Sequence, residues 1–599
     1  MGVLGTYHQI KFYYTGSYRG VKNNNPDKFT GIHNLFKTPS KLCLMKFRVL
    51  AMLCFLSFFL AIAGPVRSQD VENISNEEPV QFSGSASIHT GFYEMSGIAG
   101  RRQPYRYSLR FNPTLQLYGI SFPFSLTLNK QGTRFSQPFN QFGMSPEYKW
   151  AELHLGYRRM SFSPFILKGQ TFAGGGVELN PGKLRFGAFY GRLDQANRTR
   201  TGNILQPQYK RMAWGGKIGV GTEEEYLDLI FFRSRDQLNS LSGASDSLRQ
   251  TIPARENMVV GVSSRLNFFN DALSWKFDVA GSAYTRDIRQ GKIDLEDEQV
   301  PAFLTNLYTP RTSSLFSWSG ETSLTLNLDG FTVGGTYRRV NPDYRSLGVN
   351  YINDDVENIT MNSSFSLWKN KISLSGRYGI QRNNLNDKQA ARTNRNIGSV
   401  NLSFNPSSTF GFNMQYSNFN MDQQVVMQDT IMSDSLLVDQ VNHNLSIFPR
   451  LTFVSENHVH NIVLAATYQK LQDATYTGNE IVNYNLNYGL TFTKIGLTVN
   501  TGLNYNHMQR GSFVSERYGV SLSGRKSLLE NKLSIRVSST YNINQRNQNQ
   551  GYLTNSSIYL SYRIDGNQSI SLNLSVVQSE MPSSDFIESR GNLGYNVSF

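Results

Sequence analysis

The residues of this 599-residue chain best placed to do chemistry are five cations: Arg185, Lys217, Arg377, Arg536 and Arg563. Each has a Gly or Ser two positions away, so on a strand each shares its face with a small neighbour and faces away from the large apolar residues. Asp228 and Glu321 fall on the same kind of face. Charges placed like this belong to a water-filled interior, where a basic bias favours anions. They serve equally well as ion pairs that hold a wide wall in shape, and the two roles are compatible. The histidines are less informative. Downstream of residue 68 they are His89, His154, His443, His458, His460 and His507. The i,i+2 pair His458 and His460 shares a strand face but lacks a third ligand, which favours a solvated turn over a metal site. Asp294, Glu296, Asp297 and Glu298 crowd together without calcium-loop spacing and read as a solvated loop. No nucleophile elbow, zincin helix or phosphate loop is present. The expectation is a protein that is not an enzyme, with no cofactor, no metal and no nucleic-acid partner; a His-dependent catalyst would lose its activity on changing a residue such as His154.

The elements that must carry these side chains are strands. From Ile481 to Phe492, Val482, Tyr484, Leu486, Tyr488, Leu490 and Phe492 share one face, and Asn483, Asn485, Asn487, Gly489 and Thr491 share the other. The scheme repeats after Thr493-Lys494 and recurs from Gln81 onward in segments of about 10–15 residues, long enough to cross a bilayer when tilted. Short turns at Asp329-Gly330, Lys369-Asn370, Pro406-Ser407, Glu456-Asn457, Thr493-Lys494, Glu530-Asn531 and Asp565-Gly566 alternate with longer polar loops near 342–354, 383–392, 419–437, 471–478, 543–550 and 579–586. That asymmetry predicts an all-β, transmembrane, antiparallel up-and-down β-barrel over 81–599, with 24 or 26 strands, short periplasmic turns and long extracellular loops. The parity breaks over 131–181, which is expected to hold an extra strand or an inward constriction. The run Gly174-Gly175-Gly176 within it is read as a bend.

The N-terminus sets the compartment. Met45-Lys46-Phe47-Arg48, an apolar run from Val49 to Ala63 and small residues up to Ser68 describe a signal peptide over 45–68, cleaved after Ser68. Residues 1–44 precede a complete signal and read as a start codon assigned too early, leaving 69–80 as a short periplasmic lead. The full chain carries a net charge of +15, but residues 1–68 hold nine bases and one acid, so the remainder is only about +7. Cys43 and Cys54 are both removed with the signal, which excludes disulfides and thiolate chemistry. A mean hydropathy of −0.38 looks soluble, yet barrels average to polar values because only alternate residues meet lipid.

The chain ends Leu593-Gly594-Tyr595-Asn596-Val597-Ser598-Phe599. With Leu593, Tyr595, Val597 and Phe599 on one face and an aromatic last residue, it resembles the C-terminal strand by which the outer-membrane barrel assembly machinery recognises its substrates. The Asn-rich strands and large loops resemble large porin-like outer-membrane barrels of Bacteroidota. That resemblance implies outer-membrane lipid and lipopolysaccharide as surroundings, and it transfers no substrate. The leading expectation is a porin-like channel for polar solutes. The rival is a structural, secretion-associated or partner-binding barrel, with Met421, Met427, Met432, Leu436 and Leu437 as an adaptable contact surface. So many strands imply that something narrows the lumen: inward loops, residues 131–181, or a protein partner acting as a plug.

Overall fold

The computed structural model describes residues 80–118, 120–129, 141–197, 207–241, 246–293, 307–426, 438–473, 478–547, 549–581 and 585–599, with 246–248 as backbone only. The expected extension, signal and lead up to residue 79, the acidic cluster 294–298, and Met427, Met432, Leu436 and Leu437 lie outside these residues.

The period-two segments become one continuous antiparallel sheet. Each strand pairs with its sequence neighbour, and the first, Val80–Ser96, pairs with the last, Phe586–Ser598. Of 27 segments, Gln141–Met144 and Glu147–Tyr148 are halves of one strand, because both lie between Ile120–Asn129 and Ala151–Arg159; the barrel therefore has 26 strands. The interruption falls at Ser145-Pro146, where proline cannot donate to a ladder. Closure removes the exposed edges that a sheet of this length would otherwise present. The seam is tied by the terminal residue: Gly84 N–H donates to the Phe599 carbonyl at 2.7 Å, Phe599 N–H donates to the Gly84 carbonyl at 3.0 Å, and the Phe82 and Phe599 rings stack at 4.9 Å.

The two faces separate as the alternation requires. Tyr190, Trp214, Leu229, Val260, Trp318, Met361 and Leu522 are exposed on the outer face. The opposite face carries Ser, Asn, Gly and charged groups, which bond from strand to strand; Asn483 Nδ2 donates to Thr467 Oγ1 at 3.0 Å and Asn506 Nδ2 donates to Asn483 Oδ1. All seven predicted short turns join consecutive strands at one end. The longer connections lie at the other end, where Tyr209, Leu241, Ala254 and Ile288 form a small core between loops.

Several expectations need correcting. The strand Thr171–Leu179 continues unbroken through Gly174-Gly175-Gly176, paired on both sides. These glycines give room rather than a bend: a Cβ on Gly174 would sit 2.1 Å from the Tyr190 carbonyl oxygen, and one on Gly176 would sit 2.7 Å from Met160 Sδ. Part of the expected loop 419–437 belongs to the strand Phe410–Val425, and most of 543–550 belongs to the strands Leu533–Arg546 and Asn549–Arg563, whose ends pair at Arg546 and Asn549. Asn- and Gln-rich sequence looks like loop, but its backbone pairs as well as any other once a neighbouring strand is in register.

Candidate functional site

The main core of this barrel lies inside its lumen. Two connections on the long-loop side, 160–170 and 341–355, turn inward and pack together against one part of the wall. Phe165, Ile166 and Leu167 are fully buried there against inward-facing Phe189, Ile230, Phe232, Val259 and Ala280. The sequence carried a signal for this: Phe162-Ser163-Pro164-Phe165-Ile166-Leu167 is too apolar for a solvent loop, and each buried side chain contributes about 2 kcal/mol on leaving water. Within 131–181, only residues 160–170 leave the wall among those described; the remainder forms strands. The segment 341–355, expected from sequence as a longer polar loop near 342–354, gave no such signal, because its core residues Tyr344, Val349 and Ile352 are scattered among polar ones.

Those contacts lock the two segments to each other and to the wall. Tyr344 Oη donates to the Phe165 carbonyl at 2.9 Å, Ser346 Oγ donates to the Ile166 carbonyl at 2.7 Å, and Lys168 N–H donates to the Gly348 carbonyl at 3.1 Å. Burial pushes the Tyr344 hydroxyl far above the ordinary tyrosine range, so it remains a donor. Asn257, wholly buried on the wall, donates to the Ser282 hydroxyl at 2.9 Å and to the carbonyls of Ala283 and Arg345 at 3.1 and 3.2 Å, and it accepts from Leu347 N–H at 3.0 Å. Ser163 Oγ donates to Asp278 at 3.1 Å. Gly348 fits only as glycine: a Cβ there would lie 2.4 Å from the Ile166 carbonyl oxygen.

The five cations fall into two groups. Arg185 is bound by Asp228 at 2.9 Å, and Lys217 by Glu178 at 3.1 Å, both beneath the inward segments. Glu321 pairs with Arg338, whose guanidinium lies over the Phe165 ring at 5.1 Å. These charges brace the wall. Arg377, Arg536 and Arg563 are exposed on the opposite face from the apolar residues of their strands, and among the described residues no carboxylate reaches them. Arg110 and Arg525, not singled out from sequence, join them. Arg525 stands directly across from Arg536, and a cavity of about 860 Å³ near the short-turn end is lined by Arg110, Arg525, Lys532 and Arg563 with no carboxylate. Like charges directly opposite one another destabilise a sheet. Register could have revealed this pair, but register is not readable from one strand alone.

His154 acquires partners that sequence spacing hid. Ser145 Oγ lies 3.0 Å from His154 Nδ1, and His154 Nε2 lies 3.4 Å from Glu178, whose other oxygen accepts from Lys217. Glu152, His154 and Glu178 bring ligand atoms within 4.8 Å of one another. As a nucleophile–base–acid set the cluster is incomplete: Pro146 supplies no N–H after Ser145, and the Ser145 N–H is engaged by the Pro123 carbonyl. As a cation site it already holds the Lys217 ammonium. Its evident role is to cross-link the interrupted strand to its neighbours. His460 Nδ1 lies 2.8 Å from Tyr488 Oη, with the His458 ring 6.4 Å away.

No protein-family model matches the chain, and neither does any curated protein. Among solved structures, OccAB2 of Acinetobacter baumannii aligns at 10% identity and TM-score 0.28, over 63% of this chain and 97% of that one. A BenF-like porin from Pseudomonas fluorescens Pf-5 aligns at 10% identity and TM-score 0.30, over 63% and 99%. The P pilus usher (PapC) translocation pore aligns at 10% identity and TM-score 0.30, over 86% and 99%. The overlap is low in every case, and no solute passes from these proteins to this chain.

Proposed function

We propose that the chain is an outer-membrane channel of a diderm bacterium, of the Bacteroidota type, that passes anionic polar solutes along the arginine-lined part of its lumen. The observation that carries this reading is the uncompensated set Arg110, Arg377, Arg525, Arg536 and Arg563. Elsewhere on the inner wall Arg185, Lys217, Arg211 and Arg338 all have carboxylate partners. A wall that needed charge only for shape would pair Arg525 and Arg536 as well. Left unpaired in water, they raise the local concentration of anions.

Size supports a narrowed rather than an empty pore. A circular barrel of 26 strands, spaced about 4.8 Å apart and tilted about 40°, has a backbone diameter of about 50 Å, well beyond common porins. The segments 160–170 and 341–355 fill one part of that width and steer the path toward the arginines. The exposed aromatic and aliphatic outer face supports a wall that meets lipid, and the short turns of such a barrel face the periplasm. Reversal potentials under a salt gradient test the proposal: anion preference that falls on changing Arg525, Arg536 and Arg563 to Gln supports it, and preference unmoved by those changes refutes it.

A further inference from the structure

Behind the inward segments, the strands Leu184–Asp194, Lys210–Gly221 and Tyr226–Gln237 carry three bases on their outer face. Arg192, Lys210 and Arg235 line a cavity of about 950 Å³ just below the long-loop rim, with Gln195, Asn239, Ser240 and Ile288 around it and one carboxylate, Asp236, which Arg211 already holds at 2.8 Å. Register brings the three together: Arg192 and Arg235 flank Met212 on either side, and Lys210 follows one step nearer the rim, opposite Gln237. All three share the face of exposed Tyr190, Trp214 and Leu229. Arg211, between them in sequence, points the other way and is held by Asp194 at 2.7 Å and Asp236 at 2.8 Å. The outward bases are treated differently. Arg192 donates to Tyr157 Oη at 2.8 Å, and among the described residues no carboxylate pairs with it or with Lys210. The carboxylate nearest Arg235 is Glu256 at 3.9 Å, and Glu256 is engaged by Arg233 at 2.7 Å.

We infer that this cavity binds the phosphate of a phosphorylated lipid headgroup in the surrounding leaflet. Depth argues for lipid. Trp214 and Tyr190 lie one pleat repeat toward the membrane centre from Met212 and Arg192, and Phe231, its ring 4.9 Å from Trp214, lies one repeat further, where aromatic girdles meet headgroups. With strands tilted about 40°, Arg192 and Arg235 then stand about 5 Å further out than Trp214 and Tyr190, and Lys210 about 10 Å, at phosphate level. Two planar guanidiniums offer forked donors to phosphate oxygens, and Lys210 adds a point charge. The lipid's acyl chains would lie along the exposed apolar wall below.

The site rests on the membrane reading proposed above, so the test separates failure of the site from failure of that reading. Full-length protein is refolded into vesicles, floated to establish insertion, and assayed by native mass spectrometry with a bisphosphorylated glycolipid, its phosphate-free counterpart and inorganic phosphate. The expected result is retention of the phosphorylated lipid, weakened by about 100-fold in Arg192→Gln/Lys210→Gln/Arg235→Gln, with conductance unchanged. Arg192→Lys/Arg235→Lys, which keeps the charge, retains binding within about tenfold. Equal binding of the phosphate-free lipid, or an unaffected triple variant, overturns the inference. Displacement by millimolar inorganic phosphate marks a free-phosphate site and overturns it too. Failure to float overturns the membrane reading itself and this site with it.

Discussion

Asn257→Ala should release the inward segment 341–355 from the wall without opening the barrel. The side chain makes four hydrogen bonds from a fully buried position: to the Ser282 hydroxyl, to the Ala283 and Arg345 carbonyls, and from Leu347 N–H. Ser282 Oγ also donates to the Arg345 carbonyl, so that acceptor stays satisfied in the variant. Leu347 N–H is the group left stranded. The two bonds that reach the segment, at about 1 kcal/mol each, plus about 1–3 kcal/mol for the buried unpaired donor, give a loss of about 3–5 kcal/mol in docking. The undocked population therefore rises by about 100- to 4,000-fold. Arg345, exposed within the segment and paired with Asp354 at 3.1 Å, provides the readout. Trypsin should cut after Arg345 at least about 100-fold faster in the variant, provided reclosing outpaces cleavage. Single-channel records should gain flicker toward larger openings, while the folded barrel keeps its heat-modifiable mobility. Cleavage within twofold of wild type would refute the idea that Asn257 holds the segment.

Arg185→Gln strands Asp228, which is nearly inaccessible, and should lower the chemical-denaturation midpoint while leaving ion selectivity unchanged; Arg536→Gln should do the opposite. Gly174→Val forces a side chain against the Tyr190 carbonyl, and the yield of heat-modifiable barrel should collapse. Deleting Phe599 removes the paired bonds with Gly84 and the stack on Phe82, and pulse-chase assembly in cells should slow at least about tenfold. At the rim, Arg289 donates to the carbonyls of Arg249, Gln250 and Ile252 and is oriented by Asp287. Burial works against the Asp287 carboxylate, but hydrogen bonds from the Arg289 side chain and backbone outweigh it and hold its pKa below the usual range. A lowered folded-state pKa contributes stability that is present above the unfolded value of about 3.9 and lost as pH falls through the folded one. Protease protection of 246–252 should therefore persist to about pH 4 and disappear only below it.

Architecture was legible because it follows from period and turn chemistry. Alternation at Val482 to Phe492 and the seven short turns define strands, their ends and the direction of each face, and the terminal aromatic marks the strand that closes the ring. What stayed hidden depends on side chains that meet across register. Arg185 and Arg536 look alike in sequence; only pairing shows that one faces Asp228 and the other faces Arg525. The apolar run Phe162 to Leu167 pointed to burial, but its partner at 341–355 is held by Asn257, Ser282 and Tyr344, polar residues that could sit on any loop. Gly174-Gly175-Gly176 was ambiguous for the same reason, since glycine permits both bends and close approach, and the neighbouring strand decides between them.

Single-channel recording of the refolded barrel under a salt gradient bears most directly on the central claim. Steady conductance with a reversal potential toward the chloride side, reduced stepwise as Arg525, Arg536 and Arg563 become Gln, is the predicted result. Cation preference, or a folded and inserted barrel that passes no current, would contradict it.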